Sequence, residues 1–267
     1  MKTGERLCKG ILSHSGITGM DYAINPYLGC SHACVYCYAR FMTRFDHAGE
    51  EWGTFVDAKV NAVEILRSEL ARKRKGKVLL SSVTDPYQPI EAHYKLTRGA
   101  LEELLTRQYP VDILTKSDLV LRDIDLITKF DDIEVGFTIT TLNDNVRKAF
   151  EPGASSVKSR LNALKKFSEE GVRTYAFLGP MLPYLSDENL EEMVKILGGI
   201  VGRILIDRLN IKCGNMPIIK GALTMYYPDL TNIFEASLKP ESNYYMALKR
   251  RIMSLCREHQ LPADVIF

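Results

Sequence analysis

The chain has 267 residues, 46% of them hydrophobic and 25% charged, with a formal net charge of +2 and six cysteines. That is enough to bury a large core, short for two domains of typical size and ordinary for one α/β barrel, so one domain over 1–267 is expected. The near-neutral balance argues against a dedicated nucleic-acid binder, though it leaves room for a local basic groove, and no stretch nears the ~20 apolar residues that a membrane span needs.

In chain order, the opening MKTGERLCKGILSHSG lacks an apolar run of signal-peptide length, so a cytoplasmic setting is expected. Tyr22 to Leu28 reads as a first strand. Val56 to Arg74 spaces Val60, Val63, Leu66 and Leu70 by three and four, which predicts an amphipathic helix. Lys77 to Val83 is a buried strand, and Thr97 to Arg107 a helix with Thr97 as its N-cap. Val111 to Thr115 is a strand, Leu121 to Phe130 a helix, and Glu134 to Thr140 a strand. Ser156 to Glu169 is a helix ended by Gly171, and Val172 to Leu178 a strand. A helix capped by Ser186 or Asp187 reaches Leu197, Arg203 to Leu209 is a strand, and Ser242 to Glu258 a last helix. Six βα units in succession predict a parallel sheet covered by helices, either an open doubly wound sheet or a partial barrel. Arg72 to Lys75 (RKRK) is the one notable charge run.

Cys30, Cys34 and Cys37 form a C-x3-C-x2-C triplet in GCSHACVYC. Crowded thiols fit a reducing compartment and a metal better than a secreted disulfide framework. Thiolates are the ordinary ligands of iron–sulfur clusters, and an electron-transfer cubane takes four, so a set of three leaves one iron open. The pattern also admits inert thiols, or a zinc site with Cys8 or His32 as fourth ligand. Zinc sites favour paired C-x2-C knuckles, and no second pair exists here.

The triplet, with aromatic Tyr36 before its last cysteine, resembles the signature of the radical S-adenosylmethionine (SAM) superfamily. NPYLGCSHACVYCYARF and SSVTDPYQPIEAHYKLTR are similar to a narrower group within it, the spore photoproduct lyase-like or "DNA repair photolyase" proteins, and the likeness runs from Ile24 to Asn210. The resemblance implies a partial (β/α)6 TIM-type barrel over about 20–212 with a C-terminal extension at 213–267. It implies an active site at the C-terminal strand ends, a [4Fe–4S] cluster on the three cysteines, and SAM on the open iron. Reductive cleavage of SAM would give a 5′-deoxyadenosyl radical that takes hydrogen from a substrate, with the electron supplied by a reductant such as ferredoxin or flavodoxin.

Strand ends then supply candidate cofactor contacts beside Tyr36. Ser82, Thr84 and Asp85 stand where the superfamily commonly has a glycine- and glutamate-containing motif, which this chain lacks; a plain Asp-Pro turn is the other reading. Thr115 or Lys116 reaches the mouth, where a lysine suits a carboxylate or phosphate. Thr138 and Thr140 offer hydroxyls to ribose or methionine, although such residues also simply favour strands. Arg160, after Glu151-Pro152 and Ser155-Ser156, has the fork of donors that matches the methionine carboxylate. Gly179 to Pro183 resembles the segment along the adenine. Cys213, near the mouth, is a candidate hydrogen donor to a product radical, and Cys8 and Cys256 read as structural. The substrate reading is a nucleic-acid base or lesion, in DNA or RNA. The alternatives are a small molecule or peptide, or a non-catalytic iron–sulfur protein.

Overall fold

The computed structural model describes residues 1–211 and 214–267, apart from the side chain of Phe45. Its strands are β1 (Lys2–Arg6), β2 (Leu12–His14), β3 (Tyr22–Ile24), β4 (Tyr27–Leu28), β5 (Phe55–Lys59), β6 (Val78–Leu80), β7 (Val111–Thr115), β8 (Ile133–Thr138), β9 (Arg173–Met181), β10 (Arg203–Arg208) and β11 (Ala263–Val265). The helices are α1 (Thr43–Asp46), α2 (Ala62–Leu70), α3 (Glu91–Tyr94), α4 (Leu96–Leu105), α5 (Ile124–Ile127), α6 (Asp144–Phe150), α7 (Val157–Glu169), α8 (Leu190–Gly198), α9 (Met216–Tyr226), α10 (Thr231–Ser237) and α11 (Tyr244–Glu258).

Among the described residues, one sheet has the order β2-β3-β6-β7-β8-β9-β10-β11. Every neighbouring pair from β3 to β11 is parallel, and β2 runs antiparallel on the outside of β3. Six of the seven parallel strands, β3 and β6–β10, form the βα succession and stand side by side in chain order with β11 beyond them, and the sheet's two edges do not meet, so the barrel is partial. Parallel strands need crossovers, and the helices between them cover the outer face. Val111, Ile113, Val135, Ala176, Ile204 and Ile206 meet Leu66, Leu101, Leu104, Leu164, Phe167 and Val194 in one buried core. Leu101 is fully buried there, and Leu101→Ala is expected to lower the unfolding free energy by about 2–5 kcal/mol, read from the urea midpoint of the metal-free protein.

Several boundaries differ from the sequence reading. Val56 and Ala58 are buried and alternate with Asp57 and Lys59, a period of two, so 55–59 is a strand and the helix starts only at Ala62. β5 pairs with β1 and β4 in a second, three-stranded sheet. Asn25-Pro26 therefore splits the expected first strand: β3 joins the barrel sheet and β4 joins β5. Thr97 is not an N-cap. Lys95 precedes the helix in the left-handed region, and the Thr97 hydroxyl donates to the Pro86 carbonyl at 2.6 Å. The segment after β7 is a 3-10 turn at Asp118–Asp123 followed by the short α5. Neither Ser186 nor Asp187 caps the next helix, which begins at Leu190; Ser186 Oγ instead accepts from Leu182 N at 2.8 Å. α7 matches closely, with Ser156 accepting from Ser159 N and Gly171 at φ +76° just past its end. β1, β2, β11, α9 and α10 were not expected.

Alternation sets which side chains enter the barrel. Val111 and Ile113 face the helices, while Asp112 and Leu114 point inward, as do Gly136, Thr138, Tyr175 and Phe177. At the N-terminal end Tyr175 crosses the interior to donate to Asp112 at 2.7 Å, and a Cβ on Gly136 would lie 2.2 Å from its ring. That end is plugged. Arg72 to Lys75 precede β6, so the basic run sits on the plugged side, opposite the strand C-termini.

Candidate active site

The cleft lies at the C-terminal ends of the strands. The cysteine loop after β4, residues 81–85 after β6, Leu114 to Lys116, Thr138, Gly179-Pro180 and Asp207 to Asn210 all line it. Cys30, Cys34 and Cys37 share this lining; the first two are buried and the third is half-buried. The loop is clamped from three sides. Gln88, fully buried, accepts from Ser31 N at 2.9 Å and donates to Gly29 O at 3.2 Å. Phe150 O accepts from Val35 N at 2.9 Å, and Gly153 N donates to His32 O at 3.1 Å. A Cβ on Gly153 would sit 2.2 Å from Ser31 O, so only glycine allows this approach. From the open side, buried Asn215 donates to Tyr36 O at 2.7 Å and Asn210 O at 2.9 Å, tying the end of β10 to the cysteine loop.

Two buried carboxylates organise the charge. Asp85 accepts from Thr115 Oγ1 (2.6 Å), Tyr87 N (2.9 Å) and Lys116 N (2.8 Å), and lies 3.3 Å from His32 Nδ1. Burial acts against its charge, but His32, Thr115 and Lys116 overcome this and hold the carboxyl well below the usual range. Beneath the loop, Glu151 accepts from the Tyr36 hydroxyl and from Thr140 Oγ1 (3.1 Å), and pairs with Arg160 at 2.5 Å. Both members of the pair are sealed from solvent. Burial opposes the Lys116 ammonium too, yet Cys34, Glu151 and Asp85 around it raise its pKa above that of an ordinary lysine. Its Nζ lies 5.9 Å from the centre of the Tyr36 ring.

The model of the radical SAM superfamily matches residues 24–197. The chain belongs to the radical SAM superfamily. An uncharacterized protein of Methanocaldococcus jannaschii is 46% identical over 171 residues, which are 64% of this chain and 64% of that protein. A "Radical SAM Nalpha-GlyT isomerase" of Pseudomonas phage M6 is 26% identical over 160 residues, 59% of this chain and 32% of the phage protein. Among solved structures, spore photoproduct lyase complexed with dinucleoside spore photoproduct superposes with a TM-score of 0.72 at 16% identity, covering 99% of this chain and 82% of that one. The fold is thus that of the lyase.

Radical SAM proteins use SAM and an iron–sulfur cluster, and the donor set of this cleft fits them. Burial, then Asp85 and Cys37, push the Cys30 thiol up to about 12, and burial pushes Cys34 well above its ordinary value. Bare thiolates are therefore disfavoured here, and a cationic metal centre is what makes them favourable. Of the other expected radical SAM contacts, Tyr36, Ser82, Thr84, Asp85, Lys116 and Thr138 line the cleft. Asp85 is already engaged by the protein, so it braces the cleft rather than offering a free carboxylate. Thr140 and Arg160 do not line it. Arg160 spends its guanidinium on Glu151, the Thr138 carbonyl (2.9 Å) and the Ser155 carbonyl (2.9 Å), which leaves no fork for the methionine carboxylate. Cys8 exchanges backbone bonds with Asn61 outside the cleft, Cys256 is buried in the main core, and Cys213 lies outside the described residues.

Sequence reasoning missed Gln88, Asn25 and Asn215. Asn25 Oδ1 accepts from Ser82 N and Val83 N, each at 3.0 Å, and so shapes the 81–85 segment. The available signal was a polar residue next to proline in each quoted motif, Asn25-Pro26 and Gln88-Pro89.

Proposed function

We propose that this chain is a radical SAM enzyme in which Cys30, Cys34 and Cys37 hold a [4Fe–4S] cluster with one iron open to SAM. The observation that carries this reading is the shared cleft: three loop cysteines and one half-buried ammonium, Lys116, at the C-terminal ends of parallel strands. Held by Cys30, Cys34 and Cys37, such a cluster would supply the one electron for reductive cleavage of the SAM C5′–S bond to methionine and a 5′-deoxyadenosyl radical, which would abstract hydrogen from the substrate. The chain's part is positioning and exclusion. Lys116 remains protonated and suits the methionine carboxylate in place of Arg160. Ser82, Thr84 and Thr138 line the cavity with hydroxyls, and Val83, Leu114, Phe177, Pro180 and Leu209 keep water from its walls.

The substrate class we favour is a nucleic-acid base or lesion, supported by the lyase fold and its dinucleoside ligand. The basic run at 72–75 lends no support, because it lies at the plugged end. A small-molecule or peptide substrate is the second reading, favoured by the near-neutral charge. A ferredoxin- or flavodoxin-type donor would reduce the cluster. No helix among the described residues is long and apolar enough to cross a membrane.

The test is anaerobic reconstitution with iron and sulfide, then dithionite and SAM, with 5′-deoxyadenosine quantified by chromatography. The expected result is cleavage that rises when oligonucleotides or tRNA are added. A loaded protein that never cleaves SAM would make it a non-catalytic iron–sulfur protein, and a rise with a metabolite or peptide fraction alone would select the second reading.

A further inference from the structure

Trp52 is the chain's one tryptophan, and it lies in the turn between α1 and β5. Its side chain is 6% exposed and packs with Leu28, Cys30, Ala39 and Phe55, against which Cys37 also rests. The Phe55 ring meets it edge-on, at 6.2 Å between centroids and 88° between planes. Gly53 (φ +97°) brings the same turn flush onto the cysteine loop, since a Cβ there would stand 2.5 Å from the Cβ of Ala33, the residue just before Cys34. Two contacts thus place this turn on the loop, one through the indole and one through backbone.

An indole has a donor and no acceptor, and when buried its N–H normally finds a partner. Trp52 Nε1 is sealed from solvent and has none among the described residues. The residues that share its core are apolar or cysteine. A cluster on Cys30, Cys34 and Cys37 would bring thiolate and sulfide acceptors to an N–H that has no partner among the described residues.

We infer that Trp52 donates its indole N–H to a sulfur of the cluster and thereby raises the cluster's reduction potential. A hydrogen bond to sulfur stabilises the reduced state more, because that state carries one more negative charge. Trp52 is in this sense a positioning and tuning residue that touches the cluster rather than SAM or substrate. The inference rests on the cluster reading proposed above.

The test uses three forms of the full chain, reconstituted anaerobically with iron and sulfide: the natural protein, Trp52→Phe, and protein whose single tryptophan is replaced biosynthetically by β-(3-benzothienyl)alanine. The last keeps the ring's shape but has sulfur in place of N–H, so it decides the matter even where Trp52→Phe loads poorly. Tryptophan emission of the natural protein is expected to be quenched in step with iron uptake. Both forms without the N–H should hold as much iron and sulfide as the natural protein, with a midpoint potential, followed by electron paramagnetic resonance, that is more negative. Equal midpoints in fully loaded forms, or emission untouched by cluster assembly, would overturn the inference while leaving the metal centre intact. Failure of the natural protein to take up any cluster would overturn the metal-centre reading itself, and this inference with it.

Discussion

Cys34→Ala is expected to abolish stoichiometric iron binding and, with it, all reductive cleavage of SAM. With only three thiolates on the loop, losing one leaves two, too few to hold a cubane against dissociation. Cys34 is also buried, packed with Tyr36, Val146, Phe150 and Ile219 in a second core that fills the open side of the barrel. The loop's clamps from Gln88, Phe150, Gly153 and Asn215 bond to backbone atoms of its neighbours and survive the change. The metal-free variant should therefore stay folded, weakened by no more than about 1–2 kcal/mol for the lost sulfur contacts. Cys8→Ala and Cys256→Ala are the controls: neither residue reaches the cleft, and both variants should keep full iron content. Iron per chain, the cluster's visible absorbance and 5′-deoxyadenosine yield are the readouts. A Cys34→Ala protein that kept iron and cleavage would remove the cysteine assignment altogether.

How far the sequence discloses this site follows from the range of each interaction. The parallel strands are short local runs of apolar residues joined by helical crossovers, so a parallel sheet covered by helices was readable from the residues, whereas the partial barrel and its C-terminal mouth came from the family resemblance. Ser82, Thr84, Lys116 and Thr138, singled out because they follow or end strands, do line the cleft. Arg160 was misplaced for the opposite reason. Its type suggested an anion, but nothing local shows that Glu151, nine residues earlier, folds beneath it. Gln88 and Asn25 act on backbone groups 57 residues away, and no short-range signal encodes that. β5 was hidden because Val56 and Ala58 belong to a strand whose last residues run into an amphipathic helix, and the longer helical period masked the shorter one. The C-terminal helices were obscure for a similar reason: α9 and α10 bury Ile219, Leu223 and Phe234 not on the barrel sheet but on the second core around Cys34 and Tyr36.

The buried Glu151–Arg160 pair yields the second large expectation. Glu151→Gln alone should lower the unfolding free energy of the metal-free protein by about 3–5 kcal/mol, because it leaves the Arg160 guanidinium sealed without a counter-charge. Arg160→Met alone should have an effect of similar size, since it strands the carboxylate. The double variant Glu151→Gln/Arg160→Met should regain much of that loss, because it removes both charges while the glutamine oxygen still accepts from Tyr36 and Thr140. Acid sensitivity gives an independent check. The Glu151 carboxyl titrates below its ordinary value of 4.5 in the folded protein: burial raises it, but Arg160, Lys116 and Tyr36 lower it by more. Its stabilising contribution is thus complete above that value and fades as pH falls through the lower, folded-state one, so the double variant should have a flatter acid limb than the natural protein. The same comparison separates two roles of Glu151 in the cleft. If the double variant recovers both stability and iron uptake, anchoring Tyr36 is what the loop requires. If it recovers stability alone, the loop depends on the negative charge that faces Lys116. Single variants that each lose less than about 1 kcal/mol would mean that the pair is not desolvated, and the buried-pair account would fail.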